Sequence, residues 1–306
     1  MLKAAPWQNN LQSGSFSDGS GVPVQNPFFG TGANMSVMIE YLVLLSCLGF
    51  LAFLVPGRHR RYTAIIGWAF IILFLFAELP YYFSQNNFLY PLIAALSVPF
   101  FFITAKYLLL EDERVVHLSR AAAVAFIIYA PFEFIPALGD LLIGIVVGQI
   151  VWLLDLFHFT VSLADWNIIM RNNFRVEIIL GCTGIQSIAI MLGVAAAVPT
   201  TLRQKVSAFL IIAPTIYFLN LLRNVFVIMA YTEQWFPYYP AIASNGELGY
   251  ESFFWAHNVI AELLALGCLV IIAFGLFTII PRLGNFADDL YTLYAGEVRK
   301  AFRKGK

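Results

Sequence analysis

Charge is scarce in this chain: only 12% of its 306 residues are Asp, Glu, Lys or Arg, and 18 basic side chains balance 18 acidic ones. That balance excludes the basic field of a nucleic-acid binder and the acidic excess of a cation scavenger. Cysteine is sparser still, with three residues, so no disulfide framework is expected. Neither H-E-x-x-H nor C-x-x-C occurs, which argues against a metal centre, and no G-x-S-x-G elbow marks a serine hydrolase. No metal and no cofactor are therefore expected, and no internal repeat stands out.

What fills the sequence is hydrocarbon. Hydrophobic residues make up 60% and the mean hydropathy is +0.78, far outside the range of a soluble domain. Apolar blocks run over 36–55, 62–84, 88–110, 121–137, 140–158, 178–199, 207–231 and 253–280. Most approach the ~20 residues that a helix needs to cross a bilayer, whereas barrel strands would be about half as long and alternate in polarity. The expected fold is an all-α polytopic membrane protein, a bundle of seven to nine transmembrane helices. Residues 1–35 read as a disordered polar tail, 36–281 as the multispan catalytic domain, and 282–306 as a cytoplasmic basic tail.

The few basic residues are not spread evenly. Arg58, Arg60 and Arg61 follow the first block, Lys106, Arg114 and Arg120 flank the third connection, and Arg203 and Lys205 follow the sixth block. Arg282, Arg299, Lys300, Arg303, Lys304 and Lys306 crowd the end, while 232–252 holds no Lys or Arg. The positive-inside rule puts the first four regions in the cytoplasm and 232–252 outside. Parity then fails between 111–120 and 166–177, because two apolar blocks separate an inside loop from an outside one. One block, or part of 158–177, must be re-entrant or interfacial, or else a less apolar crossing hides there. Arg171 and Arg175 oppose the outside placement of 166–177.

Within this topology three side chains reach one depth. Cys182 lies about four residues, or ~6 Å, below the outer surface. Arg223 has climbed roughly 25 Å through a core about 30 Å thick, and His257 is again about four residues down. A cysteine near a helix N-terminus beside an arginine occupies an electropositive setting that favours thiolate, which makes Cys182 a candidate nucleophile. His257 is a candidate general acid/base or orienting residue, and the donor fork of Arg223 is suited to an oxyanion, a carboxylate or a lipid phosphate. An arginine inside a span costs about 2.5–3.5 kcal/mol on insertion scales, so Arg223 points to function by itself.

Plainer readings stand beside these. Cys182 can simply pack, as Cys47 and Cys268 are expected to, and His257 can be an interhelical hydrogen-bonding histidine. On that view Arg223 is the anion-binding residue of a transporter or lipid-handling protein. Glu78, Glu133 and Asp155 lie scattered in apolar blocks, and His117 and His158 lack partners of comparable kind. Trp235, Phe236, Tyr238, Tyr239 and Tyr250 form either an ordinary interfacial belt or a cover over the site.

Three segments carry a family resemblance. Cys182-Thr183-Gly184-Ile185-Gln186-Ser187, Leu219-Asn220-Leu221-Leu222-Arg223-Asn224 and Ala256-His257-Asn258, in that order on consecutive spans, resemble the exosortase and archaeosortase superfamily, and Thr183 and Gln186 resemble its archaeal branch. The resemblance covers the second half of the chain. It implies a membrane-embedded cysteine transpeptidase with its site near the extracytoplasmic face of an archaeal cell membrane. Implied substrates are exported surface proteins ending in a Pro-Gly-Phe signal, a transmembrane helix and a basic end, which are cleaved through a thioacyl intermediate and passed to a membrane lipid. It also carries over Cys182 as nucleophile, Arg223 as the central arginine and His257 as the third polar position, with Thr183, Gln186, Asn220, Asn224 and Asn258 in support.

Overall fold

The computed structural model describes residues 3–4 and 29–304. Helices dominate: α1 (Phe29–Leu54), α2 (Arg60–Ala77), the short α3 (Leu79–Ser84), α4 (Leu89–Leu109), α5 (Glu113–Phe134) and α6 (Pro136–Leu156) occupy the first half. The second half holds α7 (Ile185–Ala195), α8 (Leu202–Thr232), two single-turn helices α9 (Pro240–Ala243) and α10 (Tyr250–Phe253), α11 (Glu262–Ile279) and α12 (Pro281–Lys304). Among the described residues six helical stretches are long and apolar enough to cross a membrane, and apolar helix also covers 38–54 and 185–195. Phe102, Leu264, Ile271 and Phe274 are exposed, as side chains facing lipid rather than water should be.

The contacts sort the molecule into two ends. Arg61 Nη1 donates to Leu109 O, His117 Nδ1 bonds Ala197 O, Gln204 Nε2 donates to Ile279 O, and Lys106 pairs with Glu297. These bonds draw the four Lys/Arg-rich regions of the sequence to one end of the bundle. At the other end Asn86 Nδ2 reaches Ser244 O, the Tyr250 hydroxyl reaches Gln85 O and Arg171 pairs with Glu233.

Parity is resolved by α6. It begins one residue after α5 has reached the far end and leads into a sheet seated on the far end of α8, so it starts and finishes on the same side. Among the described residues seven elements then run between the two ends: α1, α2, α4, α5, α7, α8 and α11. Segment 158–177, where a hidden or interfacial piece was required, is a β-meander of β2 (Ser162–Asp165), β3 (Ile168–Arg171) and β4 (Phe174–Glu177). The sequence offered a signal for it: Asn172-Asn173, both at positive φ (49° and 67°), form a two-residue hairpin turn of the kind that asparagine tolerates. A two-residue strand β1 (Lys3–Ala4) extends the sheet in the order β1-β4-β3-β2, all antiparallel. The all-α expectation is therefore amended by one small sheet.

Other boundaries also moved. Block 178–199 is not one long helix but the continuation of β4, a 3-10 turn over Leu180–Cys182 and the 11-residue α7. The first helix starts at Phe29, seven residues ahead of the expected 36; of the expected disordered tail, residues 1–2 and 5–28 lie outside the described residues. The expected basic tail 282–306 is largely the helix α12, whose Leu283, Phe286 and Leu293 are buried against the bundle.

Candidate active site

Cys182 is fully buried at the end of the 3-10 turn that separates β4 from α7. The turn is locally determined. Thr183 Oγ1 donates to Leu180 O at 2.7 Å and accepts from Ile185 N at 3.3 Å, closing the turn and opening the helix. Between them Gly184 adopts φ +80°, a left-handed conformation that costs other residues about 1–2 kcal/mol. A Cβ at Gly184 would also lie 3.2 Å from the Asn220 side chain.

From α8 two amides grip this turn. Asn220 Nδ2 and Asn224 Nδ2, one helical turn apart, both donate to Cys182 O, at 2.5 and 2.8 Å. Both lone pairs of one carbonyl are thereby used, and the thiol-bearing residue is fixed relative to α8. The thiol itself turns back toward the strand, with Ile179 N donating to Cys182 Sγ at 3.4 Å.

Arg223 sits on α8 between those asparagines, and its Nη2 meets His257 Nε2 at 3.1 Å. A guanidinium has no lone pair to offer, so the imidazole Nε2 is the acceptor and the ring proton resides on Nδ1. Nδ1 donates to Asn258 Oδ1 at 2.8 Å, and Asn258 Nδ2 donates to Gln85 O at 2.8 Å. Phe253 stacks on the ring at a centroid distance of 4.9 Å, which fixes its plane. His257 lies inside a π-helical stretch, Phe254–Ala261, a distortion often found at functional sites that no sequence pattern announced. Arg223 Nε is buried without a hydrogen-bond partner, and the residue lines a cavity of ≈ 350 Å³ with Gly184, Ser187, Asn220, Phe226 and Cys268.

Of the eight residues singled out in the sequence, seven thus fall in two adjacent groups that α8 brings together: the turn of Cys182 and Thr183 with Asn220 and Asn224, and the chain from Arg223 through His257 to Asn258. Gln186 joins neither: its Nε2 donates to Tyr129 on α5, whose hydroxyl donates to Glu133. No hydrogen bond joins Cys182 to His257 among the described residues. Two residues that sequence reasoning passed over belong beside the site. Tyr81 on α3 lies within electrostatic reach of both Cys182 and Glu177, and Gln85 anchors Asn258 and Tyr250. Neither has a sequence signal, since their position depends on how α3 folds over the bundle. In the aromatic segment Trp235 and Phe236 pack on Phe226 beside the cavity, while Tyr238 accepts through its carbonyl from Trp255 Nε1.

A helical bundle with six described stretches long and apolar enough to cross a membrane defines a polytopic membrane protein, and α8 holds both the buried Cys182 turn and the Arg223–His257 pair as its candidate site. The chain belongs to the transmembrane exosortase family, whose model matches residues 35–237 and so takes in Cys182 and Arg223 but ends ahead of His257. It is similar to two proteins named archaeosortase A. The one from Natronomonas pharaonis is 29% identical over 261 residues, which are 78% of this chain and 82% of the relative. The one from Haloferax volcanii is 27% identical over 268 residues, 79% of this chain and 88% of the relative. No solved structure matches the chain significantly.

Proposed function

We propose that this protein is a cysteine transpeptidase of the multispan domain 36–281, with the far end of the bundle facing outside an archaeal cell. It cleaves exported surface proteins at a C-terminal signal of the Pro-Gly-Phe type. Cys182 Sγ attacks the scissile carbonyl, the C–N bond breaks and the transmembrane segment leaves as an amine that takes up the proton given up by the thiol; the lipid amine then attacks the thioester, receives the acyl group and releases Cys182 Sγ with a proton. The observation that carries this reading is the double clamp of Asn220 and Asn224 on Cys182 O. It fixes the nucleophile to the helix that also presents Arg223, whose unpartnered Nε and cavity-lining position suit it to an oxyanion or a substrate carboxylate. A site poor in water protects a thioester from hydrolysis and favours an acceptor already dissolved in the membrane.

His257 fits best as the residue that orients Arg223, because the lone pair of its Nε2 is taken by the guanidinium. Asn258 holds the tautomer in turn. Gathering the basic connections at the opposite end supports the outward orientation through the positive-inside rule.

The test is a reporter ending in Pro-Gly-Phe, a transmembrane helix and a basic end. Cys182→Ala should abolish its processing while the protein stays in the membrane, and a hydroxylamine-labile adduct should form on the wild type alone. Full processing by the alanine form would sink the proposal. The apolar lining of the cavity favours one other reading, a lipid-handling protein with Arg223 as its anion site. That reading predicts activity surviving thiol alkylation and lost in Arg223→Ala.

A further inference from the structure

The strand that leads into Cys182 has an outer edge, and its polarity is fixed by one hydrogen bond. Ile178 N donates to Asn167 O at 2.8 Å, toward β3. Backbone groups alternate along a strand, so Arg175, Glu177 and Ile179 direct their N–H and C=O groups to the opposite edge. On that edge Ile179 N meets Cys182 Sγ. The thiol therefore lies on the line that an added strand would follow. The edge does accept a strand, because β1 pairs there, Lys3 opposite Glu177 and Ala4 opposite Val176.

Depth sets the direction of travel. The turn at the start of β4 sits against Thr232 and Glu233, eight and nine positions and about 12–13 Å beyond Asn224 along α8, while Cys182 is held at the level of Asn220 and Asn224. From its hairpin turn β4 thus descends toward the thiol.

We infer that the outer edge of β4 is the docking site for the extended segment of substrate that precedes the scissile bond. The segment adds as a strand parallel to β4, comes down from the far end, and delivers its carbonyl to Cys182 Sγ. This rests on the transpeptidase reading. Main-chain pairing supplies affinity that does not depend on the substrate's side chains, which suits an enzyme whose substrates share a short signal and differ upstream of it. Lys3 and Ala4 occupy the same edge and compete with the substrate for it.

The experiment uses the full chain in nanodiscs, in its Cys182→Ala form, so that binding is read without turnover. A fluorescein-labelled peptide with six residues ahead of Pro-Gly-Phe is scanned with single backbone N-methyl groups, each of which deletes one donor and keeps the side chain. Strand pairing predicts that Kd rises about tenfold at alternate positions and changes little at those between. Arg175→Pro should weaken binding about tenfold, since it deletes an edge-facing donor, whereas Arg175→Ala should not; proline is tolerated where a strand's N–H faces outward. Lys3→Pro should tighten binding by weakening β1. No binding of the parent peptide, a loss without alternation, or equal effects of the proline and alanine variants at Arg175 each overturn the inference. Cleavage of the parent peptide by the wild type is scored separately, so a peptide that binds with the alternating pattern but is not cut counts against the transpeptidase reading alone.

Discussion

Asn224 contributes one amide hydrogen to Cys182 O and leaves its own Oδ1 buried without a partner. Replacing it with Asp would set a carboxylate against that carbonyl, so Asn224→Asp is expected to lose activity by at least about 100-fold and to lower the melting temperature, whereas Asn224→Ala loses one hydrogen bond of about 1 kcal/mol. A reporter-processing assay with a thermal melt separates the two. Gly184→Ala combines left-handed strain with crowding of Asn220, and a destabilisation of about 1–2 kcal/mol is expected in the same melt. If His257 orients Arg223, His257→Gln should keep part of the activity with an unchanged pH–rate profile, and an altered acid limb would mark it as the base instead. The sequence announced Cys182, Arg223 and His257 because polar groups are costly inside apolar spans. It could not announce their pairing, since counting residues along ideal helices placed them at one depth but missed the π-helix that turns His257 to Arg223.

At the scale of elements, hydropathy read 178–199 as one span, yet only 11 of its residues are α-helical. Apolar composition does not distinguish a buried strand, a turn and a short helix, and here all three follow one another. A helix this short depends on its neighbour. Gly193 of α7 lies so close to α5 that a Cβ there would come within 2.3 Å of Ala121 O, a backbone atom with no freedom to yield. Gly193→Val should therefore part the α5–α7 contact and cost about 1–3 kcal/mol or more, measured as lost thermal stability and as new accessibility of Cys182 to a thiol reagent. The hairpin of 162–177 is hidden for the opposite reason: its Asn-Asn turn is visible in the sequence, but strands of four residues leave no long apolar run to mark them. Arg171 and Arg175 stand against the outside placement of 166–177 under the positive-inside rule. In the fold Arg171 is neutralised by Glu233 at 2.7 Å and lies over the Phe159 ring, which removes half of that objection.

The whole molecule is polarised, with basic connections at one end and the polar groups of the candidate site at the other, and that much the distribution of Lys and Arg had indicated. Its basic end is closed by α12, which an unstructured tail would not do. Glu297 on α12 bonds Lys106 and Tyr107 of α4 as well as Lys300, and the two ammonium groups hold its carboxyl at about 2, below its ordinary 4.5. A carboxyl with a depressed folded pKa stabilises the docked helix in full above the unfolded value and loses that contribution as pH falls through the folded one. The contact of α12 with α4 should therefore hold down to about pH 4.5 and weaken only on acidification toward pH 2. Hydrogen exchange of α12 reads this directly, and Glu297→Gln should make its exchange faster at neutral pH and less dependent on acid.

The tie between Arg171 and Glu233 has a mechanical meaning. With the sheet fastened to the top of α8 and the cysteine turn fastened further down the same helix, Cys182, the strand before it and Arg223 form one body. His257 is carried by the π-helix, which reaches the same helix in two places, through Phe253 packed on Tyr231 and through the bond from Arg223 to His257. Any breathing that admits a peptide between the π-helix and α8 has to part both contacts, while Cys182 and Arg223 move together.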